Sequence, residues 1–415
     1  MNNLKVSRHI LEEVWKSRKR YSSEEEIDSS SDKDDKKHFL EFDGNKIRAR
    51  GYVGFIQYEG VSVNIYPKIC KEQPKDNIVS QILYWLSYGK KINLPFAELS
   101  LDRQPFDSWL EAFIYLFAHH SEELLSNQPY QSYQEVTEET SYLRGQLAIS
   151  EYVQHNLITG RHQFFHCTYE PFLYDNQFNR IVKFVSRLLL SNTKNDKSKD
   201  KLNGLLFLLN DVSDEFCQEN QCDLVRLNPL YQDLSIVLEM CRMFMANSSI
   251  SSSDSNKNNF CLLLPMEVVF EEFIFGFIEK HFQNRKPAAQ KESYLAENEN
   301  GKQVFKLKHD IILHGKDLII DTKYKIREIK DNKKGISSND IYQMLAYSIK
   351  RKTENVLLIY PSENHKTNDS IDTFTIENYN EKTIIHAIDI NITGENNIII
   401  EDNLKRKLSK VFDNL

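Results

Sequence analysis

The stretch "HDIILHGKDLIIDTKYK", residues His309 to Lys325, carries aspartates at Asp310 and Asp321 inside two strand-like apolar runs, with a lysine two positions beyond the second. Residues two apart on a strand share a face, so Asp321 and Lys323 belong to one surface. Between the runs lies "HGKD". A two-residue turn at Gly315 and Lys316, with glycine first as a type II′ turn prefers, pairs His314 with Asp317. Counting outward then sets Asp310 opposite Asp321. Directly opposed strand side chains have Cβ atoms about 4.5–5.5 Å apart, where two like charges destabilise the pair. Two carboxylates so placed call for a cation between them, and a hard divalent ion such as Mg²⁺ suits them. The bland alternative is a solvent-facing ladder of charges, which alternate acid and lysine residues commonly form. The sequence around the stretch is what separates the two.

Upstream, "LPMEVVFEEFIFGFIEKHF" reads as a helix: Pro265 suits its start, and Val269, Phe273 and Phe277 recur every four residues. Glu271 and Glu272 on this helix are candidates for a third acid, Glu271 being preferred. Strand segments "VFKLKHDIIL" and "DLIIDTKYKI" follow. Next comes a helix in "SSNDIYQMLAYSIKR" opened by Ser338, Asn339 and Asp340, then the strand "NVLLIYP". The order α-β-β-α-β predicts a sheet flanked by helices. Gln343 and Tyr347, spaced i and i+4, fall on one face of the second helix.

Farther out, "FLEFDGNKIRARGYVGFIQYEGVSVNIYPKI" alternates apolar and polar residues around Gly44, Gly51 and Gly60, the pattern of antiparallel strands joined by tight turns. Residues 1–76 therefore read as a small β domain, interrupted at 22–37 by a Ser-, Asp-, Glu- and Lys-rich tract that is too polar to pack and is expected to be a mobile loop. Residues 77–246 show helical spacing, as in "SWLEAFIYLFAHHSEELL", and read as mainly helical. The tract 247–259, "NSSISSSDSNKNN", has linker composition. Residues 260–415 form the last domain. The expected fold class is α+β and multidomain.

At 415 residues the chain is long enough for several cores. No apolar run approaches the roughly 20 residues that span a bilayer, and no secretory-type apolar centre stands near the start; the expectation is a cytoplasmic protein that does not enter a membrane. The six cysteines are scattered, with only Cys217 and Cys222 close together, which disfavours a zinc site. A net charge of −7 argues against coating nucleic acid by charge alone. It leaves room for local basic surfaces at "KSRKR" (16–20), "KYKIREIK" (323–330) and "KDNKK" (330–334), each more simply read as a solvated face. No GxxxxGK[ST] phosphate loop is present.

Asp310, Asp321, Thr322 and Lys323 resemble the PD-(D/E)xK nuclease pattern, with His309 where that family usually has proline. Gln343 and Tyr347 resemble the QxxxY element of its RecB-like members. The blocks "NIYPKI" (64–69), "YLRGQL" (142–147), "YDNQFNRIVK" (174–183), "VFEEFI" (269–274), "IIDTKYK" (319–325), "DIYQMLAY" (340–347) and "LLIYP" (357–361) are together similar to the McrC family, nuclease subunits of McrBC modification-dependent, 5-methylcytosine-specific restriction systems. That resemblance implies a Mg²⁺-dependent endodeoxyribonuclease acting on double-stranded DNA in defence against foreign modified DNA. Asp310 and Asp321 would hold the metal and Lys323 would assist water attack, with Glu271, Gln343 and Tyr347 around them. It also implies a partner, a hexameric McrB-like AAA+ GTPase, whose hydrolysis the N-terminal β part stimulates. Two other readings are a non-catalytic adaptor for the GTPase ring and a free-standing RecB-like repair nuclease.

Overall fold

The computed structural model describes residues 40–415 except 44–45, 50, 59–60, 72, 91, 93–94, 96–105, 107, 251–257, 290–291, 316, 363–369, 379–380 and 395. The expected loop at 22–37 and the basic tract at 16–20 lie outside the described residues. Two compact units emerge: residues 1–109 together with 261–415, and residues 110–260.

The chain enters the first unit through the hairpin β1 (Leu40–Asp43) and β2 (Lys46–Ala49), followed by β3 (Tyr52–Tyr58) and β4 (Val61–Ile65), as the alternating pattern predicts. A 3₁₀ turn at Lys68–Cys70 follows Pro67, with Ile65 and Ile69 buried on either side. Helix α1 (Lys75–Leu86) then buries Ile78, Val79, Ile82 and Trp85.

The second unit holds α2 (Trp109–Asn127), whose first residue belongs to the other unit, then the short strands β5 (Ser132–Tyr133), β6 (Val136–Thr140) and β7 (Gln146–Leu147). They are followed by α3 (Ile149–Tyr152), β8 (Phe165–Tyr169) and β9 (Phe172–Leu173). Helices α4 (Gln177–Leu190), α5 (Asp196–Leu208) and α6 (Leu234–Ala246) supply most of its core. The region expected to be mainly helical thus also contains small sheets, β6–β8–β7 and β5–β9. Their strands are too short for periodicity to register them. The described ends of the tract read as a linker take part in strand pairing. Strand β10 (Ser248–Ile250) pairs with the start of β11 (Asn258–Pro265), because ladder hydrogen bonds come from the backbone and a polar composition does not forbid them.

From Cys261 the chain is back in the first unit. Helix α7 (Met266–His281) follows Pro265 and buries Val269, Phe273 and Phe277, as expected from their spacing. It comes so close to the segment after α1 that a Cβ on Gly276 would stand 2.0 Å from the Tyr88 carbonyl oxygen. Strand β12 (Pro287–Ala289) comes next, then the pair β13 (Glu292–Glu297) and β14 (Gln303–Lys308), then β15 (Ile311–Leu313) and β16 (Leu318–Thr322). Helix α8 (Ser338–Arg351) crosses to β17 (Asn355–Pro361), and β18 (Asp372–Asn378), β19 (Glu381–Ile390) and α9 (Asn397–Asn414) complete the chain.

The main sheet runs β12–β15–β16–β17–β19–β18. Its central strands β16, β17 and β19 are parallel, and the β16-to-β17 step uses α8 as the crossover that parallel neighbours require. Buried on both faces, β16 and β17 read as continuous apolar runs. Met344 and Tyr347 of α8 pack on Ile319, Val356, Leu358 and Ala387.

Three local expectations change. The segment "VFKLKHDIIL" is two strands, because the chain leaves the β13–β14 pair at Lys308 and joins the main sheet at Ile311, with His309 fully buried in the break. The cap of α8 is Ser337, one residue earlier than expected; its hydroxyl accepts from the Asp340 amide at 3.1 Å. In the β15–β16 connection, Asp317 and not Gly315 takes a positive φ (48°), so the turn is not the expected type II′. The predicted register nevertheless holds: Ile311 pairs with Ile320, Ile312 with Ile319 and Leu313 with Leu318.

Candidate functional site

Continuing that register one step places Asp310 opposite Asp321, at the point where β15 begins and β16 nears its end. Asp310 Oδ2 accepts from the Thr322 amide at 2.8 Å and from the Thr322 hydroxyl at 2.9 Å, which fixes its carboxylate across the strand end. Asp321 is 1% exposed; its Oδ2 stands 2.7 Å from Lys323 Nζ, while Oδ1 has no hydrogen-bond partner. The same ammonium donates to Gln343 Oε1 at 2.8 Å. Gln343 Nε2 donates to Tyr347 Oη at 2.6 Å, and Tyr347 donates on to the Lys308 carbonyl at 2.5 Å. The i, i+4 spacing of Gln343 and Tyr347 on α8 thus becomes a relay from Lys323 to the residue just before His309. His309 itself lies against the Tyr347 ring, with centroids 4.3 Å apart.

Electrostatics show how poorly this pair of aspartates tolerates two charges. Burial, then the Asp321 charge, then the Glu271 charge push the Asp310 pKa well above the usual carboxylate range; the Thr322 amide and Lys323 only partly offset them. For Asp321, burial outweighs the pull of Lys323 and the value rises to about 6. Burial alone would lower the Lys323 pKa, but Asp321 beside it raises the value above that of a free lysine.

Of the two glutamates on α7, Glu272 is buried with Oε2 accepting from the Lys90 amide at 2.7 Å, whereas the Glu271 charge acts on both Asp310 and Asp321. Asp340 is a residue that the sequence reading treated only as part of a helix start. It is buried, accepts from Tyr360 Oη at 3.3 Å, pairs with Lys325 at 3.4 Å, and its charge acts on Asp321 and Lys323. The signal for it was available, since Asp340, Gln343 and Tyr347 recur at i, i+3 and i+7 on one helical face.

Among the described residues no group of three His, Cys, Asp or Glu side chains is arranged to hold a metal. A cation at this place would draw on two aspartates and complete its shell from water or substrate oxygens, the habit of Mg²⁺. The unpartnered Asp321 Oδ1 and the mutual repulsion of the two carboxylates fit such an occupant. All six cysteines are free and buried.

Residues 47–361 match the family model described as "McrBC 5-methylcytosine restriction system component". The chain belongs to this family. The match takes in β3 through β17 and so includes Asp310, Asp321, Lys323, Gln343 and Tyr347. Among solved structures, the chain is similar to one in the refined half-complex from the tetradecameric assembly of Thermococcus gammatolerans McrB AAA+ hexamers with bound McrC. Identity is 21%, 98% of this chain and 93% of that chain are covered, and the TM-score is 0.72. A second likeness is to a chain in the cryo-EM structure of the Thermococcus gammatolerans McrBC complex, with 22% identity, 67% of this chain and 80% of that chain covered, and a TM-score of 0.51. At such identities the likeness concerns the fold. No curated protein matches. Among the described residues of this McrBC-family chain, no helix is long and apolar enough to cross a membrane.

Proposed function

We propose that this chain is the DNA-cleaving subunit of a McrBC-type restriction complex, a PD-(D/E)xK endonuclease that hydrolyses phosphodiester bonds of double-stranded DNA with Mg²⁺. The observation that carries the reading is the line of contacts Asp321–Lys323–Gln343–Tyr347, with Asp310 held opposite by Thr322. A solvent-facing ladder of charges would have no reason to bury these groups or to fix the lysine at both ends.

When bound by Asp310 and Asp321, a divalent ion supplies Lewis-acid polarisation of the phosphate and neutralises part of its charge. The chain's own residues do the rest. Thr322 fixes the Asp310 carboxylate and leaves its second oxygen for the site. Gln343 holds the Lys323 ammonium in place, so its charge is preorganised toward the negative charge that builds on the phosphoryl oxygens. Tyr347 fixes Gln343 and ties α8 to the strand break at Lys308. Glu271 adds a third negative charge near both aspartates.

The chain lacks a phosphate loop for nucleotide, and the structure that its fold resembles carries McrB AAA+ hexamers with bound McrC. An AAA+ GTPase ring is therefore the partner we assign, with recognition of modified DNA left to that partner. The test combines the purified chain with the GTPase, GTP, Mg²⁺ and 5-methylcytosine-bearing duplex DNA. Cleavage is expected, with loss in Asp321→Asn and Lys323→Ala while GTP turnover persists. Undiminished cleavage by either variant would overturn the assignment. Cleavage absent from the wild type, with GTP turnover still stimulated, would favour the adaptor reading.

A further inference from the structure

One peptide beyond Lys323 the chain lines a cavity of about 930 Å³, which neither the aspartates nor the α8 relay occupies. Its walls come from two distant parts of the first unit, the 3₁₀ turn that follows β4, with Lys68 and Ile69, and the segment after β16, with Tyr324, Lys325 and Lys330; Ser362 at the end of β17 joins them.

The charges around the cavity do not cancel evenly. Arg327 is fully engaged, its guanidinium held by Asp389 at 2.7 Å and Asp372 at 3.0 Å. Lys330 pairs with Glu328 at 2.5 Å. Lys325 reaches Asp340 only at 3.4 Å and keeps 57% of its side chain exposed. Lys68 is exposed and has no ion-pair partner among the described residues. Two cationic side chains therefore face the opening with charge to spare. The Tyr324 and Ser362 hydroxyls are fully buried, with Tyr324 Oη beside the Ile69 backbone amide, so the opening is faced by the lysines and not by these groups. Spare lysine charge at the mouth of a cavity is the chemistry that binds phosphate oxygens.

We propose that this cavity seats a backbone phosphate of the DNA next to the scissile one, with Lys68 and Lys325 supplying the charge. The inference rests on the nuclease reading above and deepens it, because it makes the "NIYPKI" block part of the cutting site. Lys68 comes from the N-terminal β part of the chain, and Lys325 lies two residues past Lys323. The N-terminal segment and the catalytic sheet then grip one strand of DNA together.

The test uses the full chain without divalent metal, so that binding is read apart from cleavage, and follows the anisotropy of a fluorescein-labelled duplex at salt from about 50 to 300 mM. Each lysine that neutralises a phosphate contributes roughly 0.9 to the slope of log affinity against log salt. Lys68→Gln and Lys325→Gln are expected to lower the slope by about 0.9 each and weaken binding about fivefold, while Lys68→Arg keeps both values. An unchanged slope and affinity in Lys68→Gln would overturn the proposal, as would variants that lose affinity for GTP or inorganic phosphate but not for DNA. The two readings fail separately. A lowered slope in a wild-type background that never cuts DNA removes the nuclease and keeps the phosphate site, whereas an unchanged slope in a chain that cuts removes only the phosphate site.

Discussion

Lys323 Nζ stands 2.7 Å from Asp321 Oδ2 and 2.8 Å from Gln343 Oε1, so one ammonium links the end of β16 to the face of α8. Its position is set by an acid on one side and an amide on the other. Removing the charge should differ from loosening its holder. Lys323→Ala is expected to lower kcat by about 10²–10³-fold, the range for loss of one preorganised charge-stabilising donor. Gln343→Ala should cost about tenfold, since Lys323 keeps Asp321 but gains freedom. Single-turnover cleavage rates with the partner present check both values; equal losses would show that Gln343 does more than position the lysine.

Metal-free stability should move opposite to activity at Asp310. Burial and the neighbouring Asp321 and Glu271 charges disfavour its ionised form, while an amide can still accept from the Thr322 amide and hydroxyl. Asp310→Asn is expected to raise the melting temperature in EDTA by a few degrees, about 1 kcal/mol. If Asp310 and Asp321 hold Mg²⁺ as proposed, the variant should also lack the further rise expected of the wild type in millimolar Mg²⁺. A lower melting temperature for the variant in EDTA would refute this.

The register linking Asp310 to Asp321 was legible because it follows from the count of residues between two apolar runs, and the observed pairs Ile311–Ile320 and Leu313–Leu318 keep that count. Turn chemistry was less legible. The positive φ falls on Asp317 instead of Gly315, and either placement preserves the register. The break at His309 escaped pattern reading because β14 and β15 differ in the sheet they join and hardly at all in composition. Asp340 escaped it too, since an acid at a helix start is explained by capping until its buried contacts with Tyr360 and Lys325 are known. The discontinuous unit of residues 1–109 and 261–415 had no local signal, because the contacts that define it join segments more than 150 residues apart in the chain.

The Gly276–Tyr88 approach predicts a stability effect without a functional one. Any side chain at Gly276 puts its Cβ against backbone, which cannot swing aside as a long side chain can. Gly276→Ala should therefore destabilise by about 1–3 kcal/mol through overpacking, despite alanine's better helix propensity. Denaturant unfolding of the purified chain measures it, and a stabilised variant would refute the close approach.

His386 should impose an acid limit on stability. It is buried in β19 between Thr373 Oγ1 (3.3 Å) and Asn355 Oδ1 (3.2 Å), and burial lowers its pKa below the ordinary 6.5. The folded state therefore holds fewer protons than the unfolded one between those two values. Its contribution is complete above about pH 6.5 and is lost as pH falls below it. The melting-temperature difference between wild type and His386→Asn should shrink from pH 8 to pH 5; a constant difference would remove His386 as the cause.

Arg327 gives the sharpest case for geometry over charge. Its side chain is 2% exposed, and Nε and Nη2 each reach a different oxygen of Asp389 at 2.7 Å, a two-pronged contact, while Nη1 reaches Asp372 at 3.0 Å. Two acids on neighbouring strands β18 and β19 are thus neutralised by one planar group, and its ring contact with Tyr360 at 5.2 Å brings in β17. Arg327→Leu leaves both acids without their cation and should cost about 3–5 kcal/mol. Arg327→Lys keeps the charge but cannot reproduce the fork, so about half of that loss should remain. Urea unfolding of the two variants separates the contributions. If lysine restored full stability, charge alone would hold the segment after β16 to the sheet, and the fixed placement of the Lys323–Lys330 stretch would need another source.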